Sequence, residues 1–179
     1  MACISKLATA IAYDCDTGAT GLVSALIINK ADIESYVVEG SSMTVSGFTL
    51  APGAKAYKID TVKRSLVLSS ALKVNEGAPN AYSHSATIVV TEILDAKGRE
   101  LMSALTNGSF VIMTKANTIA APRVYGLYYG MSATAVDNNS HENGNWATCT
   151  LETPENVIGE DPVAITVGNY DALYAEAVG

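Results

Sequence analysis

The sequence has few charged residues, few phenylalanines and no long apolar run. Charged residues make up 16% of the 179 residues and apolar residues 49%, and only two residues are Phe. A membrane-spanning helix needs about 20 consecutive apolar residues, and no run approaches that length, so we expect no membrane association. The start, Met1 to Ala12, lacks a basic segment followed by a long apolar core, and we expect no signal peptide.

Cysteine is also scarce. The three cysteines are Cys3, Cys15 and Cys149, an odd count without close spacing. This pattern argues against a disulfide scaffold and for synthesis in a reducing compartment. We predict three free thiols, with Cys149 on the inward face of a strand.

Motifs that carry catalytic or metal chemistry are missing. There is no Gly-x-Ser-x-Gly elbow, no phosphate-binding glycine loop and no zinc-protease helix. The turn from Asp14 to Thr20 resembles a calcium loop only faintly, because Ala19 and Ala25 stand where Gly and Glu are required. His84 and His141 lie too far apart in sequence to imply a site. We therefore predict that the chain is not an enzyme and holds no metal or cofactor.

No Lys or Arg follows residue 124. All 11 basic residues lie in residues 1–124, beside ten acids, whereas residues 125–179 carry eight acids. Five of the basic residues fall between Lys55 and Lys73, where Asp60 is the one acid. A chain with a basic segment and an acidic tail can pair with copies of itself. The plain alternative is a solvated basic hairpin and a solvated acidic tail.

From this charge pattern we predict a self-assembly interface between neighbouring copies. Apolar alternation along the basic hairpin would supply the burial, since surface charge alone contributes little, and charge complementarity would fix the register. The predicted interface residues are Lys55, Lys58, Val62, Lys63, Arg64, Leu66 and Leu68 on the hairpin, and Glu152, Glu155, Glu160 and Asp161 on the acidic side.

The chain is organised around a strand, a short helix and a second strand. Residues Ala86 to Ile93 are rich in β-branched side chains, which favour strands. A helix from Asp95 to Thr106 follows, with Asp95 as its N-cap and Leu101 and Leu105 on its apolar stripe. We expect both leucines to be buried against the β-body. Asn107-Gly108 is expected to end the helix in a left-handed conformation, before a strand from Phe110 to Lys115.

Most of the remaining chain reads as strands. Segments 40–83 look like long hairpin arms rather than core, and Gly47 is a candidate bulge position. We predict one mainly β domain over residues 1–179: an antiparallel β-sandwich or barrel flanked by one short α-helix, with an N-terminal arm, an extended hairpin arm at about 40–83 and an acidic C-terminal tail. Further strands are predicted at 22–28, 33–38, 43–50, 124–129, 146–152 and 163–167.

This order of parts resembles the phage tail tube proteins. Tyr125 to Met131 resembles a Tyr-Gly segment of that family, and Ala147 to Glu152 resembles its closing strand. The opening Met1-Ala2-Cys3, with Asp14-Cys15-Asp16 and Gly21, is similar to starts seen in tail proteins of phages that infect Bacteroidetes. The resemblance covers most of residues 1–165 as a pattern of elements.

The resemblance implies a structural virion protein made in the cytoplasm of a host bacterium. Copies would form rings, expected to be hexamers, that stack into a hollow tube and contact other tail or neck proteins. DNA would pass through the lumen without specific binding, although the hairpin lysines could instead face the lumen. The acidic, aromatic tail leaves a ring at the neck or tail end as an alternative. A module that binds carbohydrate or a host surface is a second alternative, resting on the nine tyrosines and an Asn-rich loop at 137–145.

Overall fold

The computed structural model describes residues 22–40, 43–59, 65–90, 96–116, 121–138, 146–162, 164–166 and 168–178. In these ranges the chain forms eleven β-strands, two α-helices and a short 3-10 turn. The strands are β1 Leu22–Asn29, β2 Ile33–Glu39, β3 Thr44–Leu50, β4 Tyr57–Ile59, β5 Leu66–Lys73, β6 Ala81–Val90, β7 Ser109–Ala116, β8 Arg123–Tyr125, β9 Met131–Asp137, β10 Ala147–Glu152 and β11 Ala164–Thr166; the helices are α1 Ala96–Asn107 and α2 Tyr170–Glu176, and the 3-10 turn is Lys30–Asp32.

The strands form one connected sheet. Its order is β2-β3-β11-β8-β7-β9-β10-β6-β5, and β1 joins it by pairing with β7 on one edge and with β4 on the other. Every described strand pair is antiparallel except β11 with β3. The predicted mainly β fold with antiparallel pairing and a sandwich-like core is confirmed.

The core lies on both faces of the β1–β7 pair. On one face, Phe110 and Ile112 of β7 pack with β6, β9, β10 and the α1 residue Leu105. On the other face, Val111 and Met113 pack with β3, β8 and α2. Because successive strand residues point to opposite faces, the unbroken apolar run of β7 fits a strand covered on both sides.

Several local predictions are confirmed. Strand β10 buries Ala147, Cys149 and Leu151 and leaves the residues between them partly exposed. Cys149 is a free, buried thiol, whereas Cys3 and Cys15 lie outside the described residues. The pairing of β2 with β3 shifts register opposite Gly47, whose φ is +58°, which confirms the bulge.

The predicted helix between the two central strands is present, and one of the two leucines predicted to be buried is buried. Leu105 is 3% exposed and belongs to the core. The prediction for Leu101 is wrong, because its side chain is 47% exposed. The expected cap Asp95 lies outside the described residues.

Glycine is required at position 108, after α1, because of steric crowding and not because the backbone there is left-handed. Gly108 is absent from the glycines with positive φ, so the expected conformation is wrong. A Cβ at this position would collide with the Phe110 ring and would lie 2.8 Å from the Ala104 carbonyl oxygen. Glycine is therefore needed where the chain turns closely from helix to strand.

Three larger expectations need correction. Segment 40–83 is not simply an arm, since Val45, Phe48, Ala56 and Leu66 are buried and β4 pairs with β1. The C-terminal tail forms a second helix, α2, that packs on the body. Strand β8 ends at Tyr125, and β9, which follows the next turn, was not predicted.

None of the helices in the described part of the chain is long and apolar enough to cross a membrane.

Candidate functional site

The exposed edge of β5 is the main candidate for a functional surface. Among the described strands, β5 pairs with β6 alone and ends the order of the sheet. The Val89 N–H donates to the Ser65 carbonyl at 2.8 Å. Since hydrogen-bonded and non-bonded pairs alternate along an antiparallel ladder, the backbone groups of Leu68, Ser70 and Leu72 point away from β6.

This edge has few of the features that normally prevent strand pairing. Edge strands in soluble monomers commonly carry charges, prolines or bulges. Strand β5 contains no proline, its one charged residue is Lys73 at its end, and it pairs with β6 in an unbroken register. Val67 is 51% exposed and Leu72 is 60% exposed. The edge therefore combines outward backbone groups with apolar side chains, a combination that favours pairing with another strand.

A second feature is a turn, Gly126 to Gly130, held by side chains that come from distant segments. Gly126 and Gly130 have φ values of +71° and +75°, which glycine adopts without strain. The Gly130 N–H closes the turn by donating to the Gly126 carbonyl at 3.0 Å. We call this turn and the side chains that bind it, His84, Glu160, Asp161 and Lys30, the polar clamp.

Glu160 is the centre of the polar clamp. Its side chain is fully buried, and its two carboxylate oxygens accept the N–H groups of Tyr128 and Tyr129, each at 2.8 Å. Burial raises the pKa of this carboxyl, and it outweighs the two N–H donors and Lys30, which lower the pKa. With one N–H bound to each oxygen, the carboxylate positions the turn.

His84 binds the same turn from β6. Its Nδ1 accepts the Gly126 N–H at 2.9 Å, so the proton of the neutral ring is on Nε2. Burial lowers the pKa of His84 to about 4, although the backbone and carboxylate of Asp161 act in the opposite direction. Nε2 has no hydrogen-bond partner in the described part of the chain. The ring is therefore neutral at pH 7.

Lys30 and Asp161 complete the polar clamp. The Lys30 ammonium donates to the Leu127 carbonyl at 2.8 Å and lies 5.3 Å from the centre of the Tyr36 ring. Burial lowers the pKa of Lys30, while Glu160 raises it. The Tyr128 hydroxyl donates to Asp161 at 2.6 Å, and burial together with this carboxylate raises the pKa of Tyr128.

A groove of about 430 Å³ lies between α1 and the strands β9 and β10. Its polar lining includes Arg99, Asn107 and Asn138, and Met102 and Val136 contribute apolar surface. Trp146, which precedes the lining residue Ala147, is 52% exposed. Polar side chains beside an apolar surface can bind a polar ligand with an apolar face.

The structure distributes the predicted interface residues over several environments. Glu160 and Asp161 are buried in the polar clamp, so their prediction as contacts to a neighbouring copy is wrong. Leu66 is buried in the chain's own core, and Leu68 packs against it. Lys55, Lys58 and Glu155 are exposed, and Glu152 is half-buried. Val62, Lys63 and Arg64 lie outside the described residues.

The basic and acidic segments already meet within one copy. The Lys73 ammonium donates to the carbonyls of Glu155 and Val157 at 2.8 and 2.6 Å. The Lys58 ammonium lies 4.9 Å from the centre of the Tyr174 ring in α2. One ion pair joins a basic residue of the first part of the chain to an acid of the tail, Lys115 with Asp171 at 2.7 Å.

The described residues contain no group of three His, Cys, Asp or Glu side chains placed to hold a metal ion. No family model, curated protein or solved structure matches the chain.

Proposed function

We propose that this protein is a structural subunit that assembles with copies of itself into the stacked rings of a phage tail tube. The observation that carries the proposal is the β5 edge, an apolar strand edge without a described partner. The described strands supply no partner for the outward backbone groups of β5, and a strand from a second copy would supply one.

The arrangement of elements supports this reading. Strand β6, helix α1 and strand β7 follow one another, and β10 closes against β6, in the order that the resemblance implies. The two ends of the sheet are formed by different strands, β2 and β5. An interface in which the β5 edge contacts a different surface of the next copy is head-to-tail. Such an interface closes into a ring when the rotation between copies allows.

The proposal places the protein in a virion, after synthesis in the host cytoplasm. Its partners would be further copies, in rings proposed to be hexameric, and other tail or neck proteins. DNA would pass through the lumen without specific binding, because a conduit should not hold its cargo tightly. A ring at the neck or tail end would use the same β5 edge.

Electron microscopy of purified protein tests this proposal. Rings or tubes formed without other proteins are the expected result, and their diameter and symmetry would give the number of copies. A sample of monodisperse monomers at high protein concentration would contradict self-assembly.

The groove beside α1 favours one further candidate function, a module that binds carbohydrate on a host surface. Asn138 and Arg99 offer polar groups in the groove. Trp146, next in sequence to the lining residue Ala147, offers an exposed ring on the same surface region of the chain. Titration with an oligosaccharide panel tests this function. Binding that is lost in Trp146→Ala and kept in Leu72→Ala, a change at another exposed apolar site, would support it; no binding by the wild-type protein would exclude this candidate for the panel used.

A further inference from the structure

The C-terminal residues 168–178, here called the C-terminal strap, lie on a strand edge. The Lys58 N–H donates to the Val178 carbonyl at 2.8 Å, and the Val178 N–H donates to the Ala56 carbonyl at 3.0 Å. Tyr57 of β4 and Val178 are therefore partners in a parallel bridge. The C-terminal strap thus covers the edge of β4 that faces away from β1.

Helix α2, which is part of the C-terminal strap, binds the body by burying Tyr170 in the apolar core and through polar contacts. The hydroxyls of Tyr170 and Ser24 form a buried hydrogen bond of 2.8 Å, although 146 residues separate them. The Lys115 ammonium forms an ion pair with Asp171 at 2.7 Å, and Lys58 lies over the Tyr174 ring.

The surface of the body that binds the C-terminal strap, here called the seat, is basic where the C-terminal strap is acidic. The seat contributes Lys58 and Lys115 to contacts with the C-terminal strap, whose own charged side chains are Asp171 and Glu176. Lys58 and Lys115 lie far from the C-terminal strap in sequence. The same contacts can therefore form with the C-terminal strap of another copy.

The start of the C-terminal strap is suited to a change of direction. Gly168 has a φ of +97°, and no heavy atom of the described residues lies within 4 Å of the position that a Cβ would take. Glycine accepts many backbone conformations there without a steric clash. A different path at Gly168 would carry the C-terminal strap away from its own body with its internal structure unchanged.

We propose that the β4 edge is an interaction surface that accepts the C-terminal strap of a second copy of this chain. The inference rests on the self-assembly proposed above, and it adds a second contact to the one at β5. In the exchanged state the bonds to β4, Ser24 and Lys115 are the same bonds, made between chains. Exchange of an identical element is a low-cost route to association, and neighbouring copies in an assembly raise the effective concentration of the segment.

Disulfide trapping between two variants, each with one added cysteine beside the buried native Cys149, tests the exchange. Tyr57→Cys is placed in one chain and Val178→Cys in a second chain of different mass, both in a Cys3→Ser, Cys15→Ser background. Bridge partners in neighbouring strands are about 4.8 Å apart, within the range that a disulfide spans. Both side chains are more than 40% exposed, so oxidation is not limited by burial.

After mixing at high concentration and oxidation, we expect a disulfide-linked species that contains one chain of each kind. Ala175→Cys, exposed and away from the bridge position, is the matched control and should give at least fivefold less of this species. A Tyr57→Cys, Val178→Cys double variant should form the bond within one chain when dilute.

The exchange is overturned if the mixed species does not exceed the control while the double variant closes within one chain. Failure of the double variant to close would overturn the seat itself. Microscopy of the same samples separates the two proposals, because tubes without trapped pairs remove only the exchange. Trapped pairs without rings or tubes support the exchange and contradict the tail tube.

Discussion

The Gly126 N–H donates to Nδ1 of His84 at 2.9 Å, although 42 residues separate the two. This bond requires a neutral ring, because a protonated imidazole carries a hydrogen on both nitrogens. The same turn donates two more N–H groups to Glu160. Two buried titratable groups therefore hold one turn, and the stability of the fold should depend on pH in a way that identifies them.

We predict that acid destabilises the protein through His84. Its pKa is about 4 in the folded protein, against 6.5 ordinarily, so the unfolded chain takes up a proton first as the pH falls. The free energy of unfolding should therefore fall between pH 6.5 and pH 4, by roughly 3 kcal/mol from this group. Denaturant unfolding across this range measures it.

Two variants assign that pH dependence. His84→Gln should lose the contribution, whereas His141→Gln, which changes the only other histidine, should keep it. An unchanged pH profile in His84→Gln would contradict the buried, neutral ring.

The effect of Glu160 on the free energy of unfolding in acid should be opposite to that of His84. The pKa of Glu160 is raised, so the folded protein binds this proton before the unfolded chain does, and falling pH then favours folding through this group. Replacing it by Gln removes that compensation, and Glu160→Gln should lose stability more steeply in acid than the wild type. The exposed Glu155→Gln is the control. A shallower acid loss in Glu160→Gln would contradict the raised pKa.

The two leucines of α1 should differ sharply. Leu105 is 3% exposed and Leu101 is 47% exposed. Leu105→Ala should lower the free energy of unfolding by about 2–5 kcal/mol, the range for a buried leucine. Leu101→Ala should change it by less than about 1 kcal/mol. Equal losses in the two variants would mean that the described face of the helix is incorrect.

The parts of the fold that local patterns determine could be predicted from the sequence. The β-branched run at Thr87 to Val90 and the alternation in Ala147 to Glu152 each lie in a strand as expected, although the first strand, β6, begins at Ala81, five residues before the predicted start. The bulge at Gly47 follows from a local backbone requirement. Leu101 and Leu105 show the limit, because one helical stripe does not reveal how far the neighbouring strands cover it.

The polar clamp could not be predicted in this way. Glu160 lies in an acidic, proline-containing segment that is typical of surface, and its partners Tyr128 and Tyr129 looked like a continuing strand. Its burial depends on two backbone N–H groups that reach it only after the chain folds. The available signal was the pair Gly126 and Gly130, whose spacing fits a turn, but that signal does not identify a distant carboxylate.

Gly108 should be intolerant of a side chain. An added Cβ would lie 2.7 Å from Cε2 of Phe110 and 2.8 Å from the Ala104 carbonyl oxygen, and such crowding costs about 1–3 kcal/mol. Gly108→Ala should lower the melting temperature. Gly40→Ala, where none of the described atoms lies within 4 Å of the new atom, should leave the melting temperature nearly unchanged. Equal melting temperatures for the two variants would contradict the close turn from α1 to β7.

The central claim is assembly through the β5 edge, and Ser70 tests it most directly. Its N–H points away from β6 by the alternation of the ladder, so proline there removes an outward donor and keeps the hairpin bonds. Ser70→Ala, which keeps the N–H, is the matched control. Val67→Lys adds a charge at an exposed position of the same edge. It tests the edge independently if the proline variant does not fold.

The measurement is sedimentation and electron microscopy of the three variants, after circular dichroism has shown which of them fold. The account predicts that Ser70→Pro and Val67→Lys remain folded monomers while Ser70→Ala forms rings or tubes like the wild type. Normal rings or tubes from folded Ser70→Pro and folded Val67→Lys would show that the β5 edge is not the assembly surface.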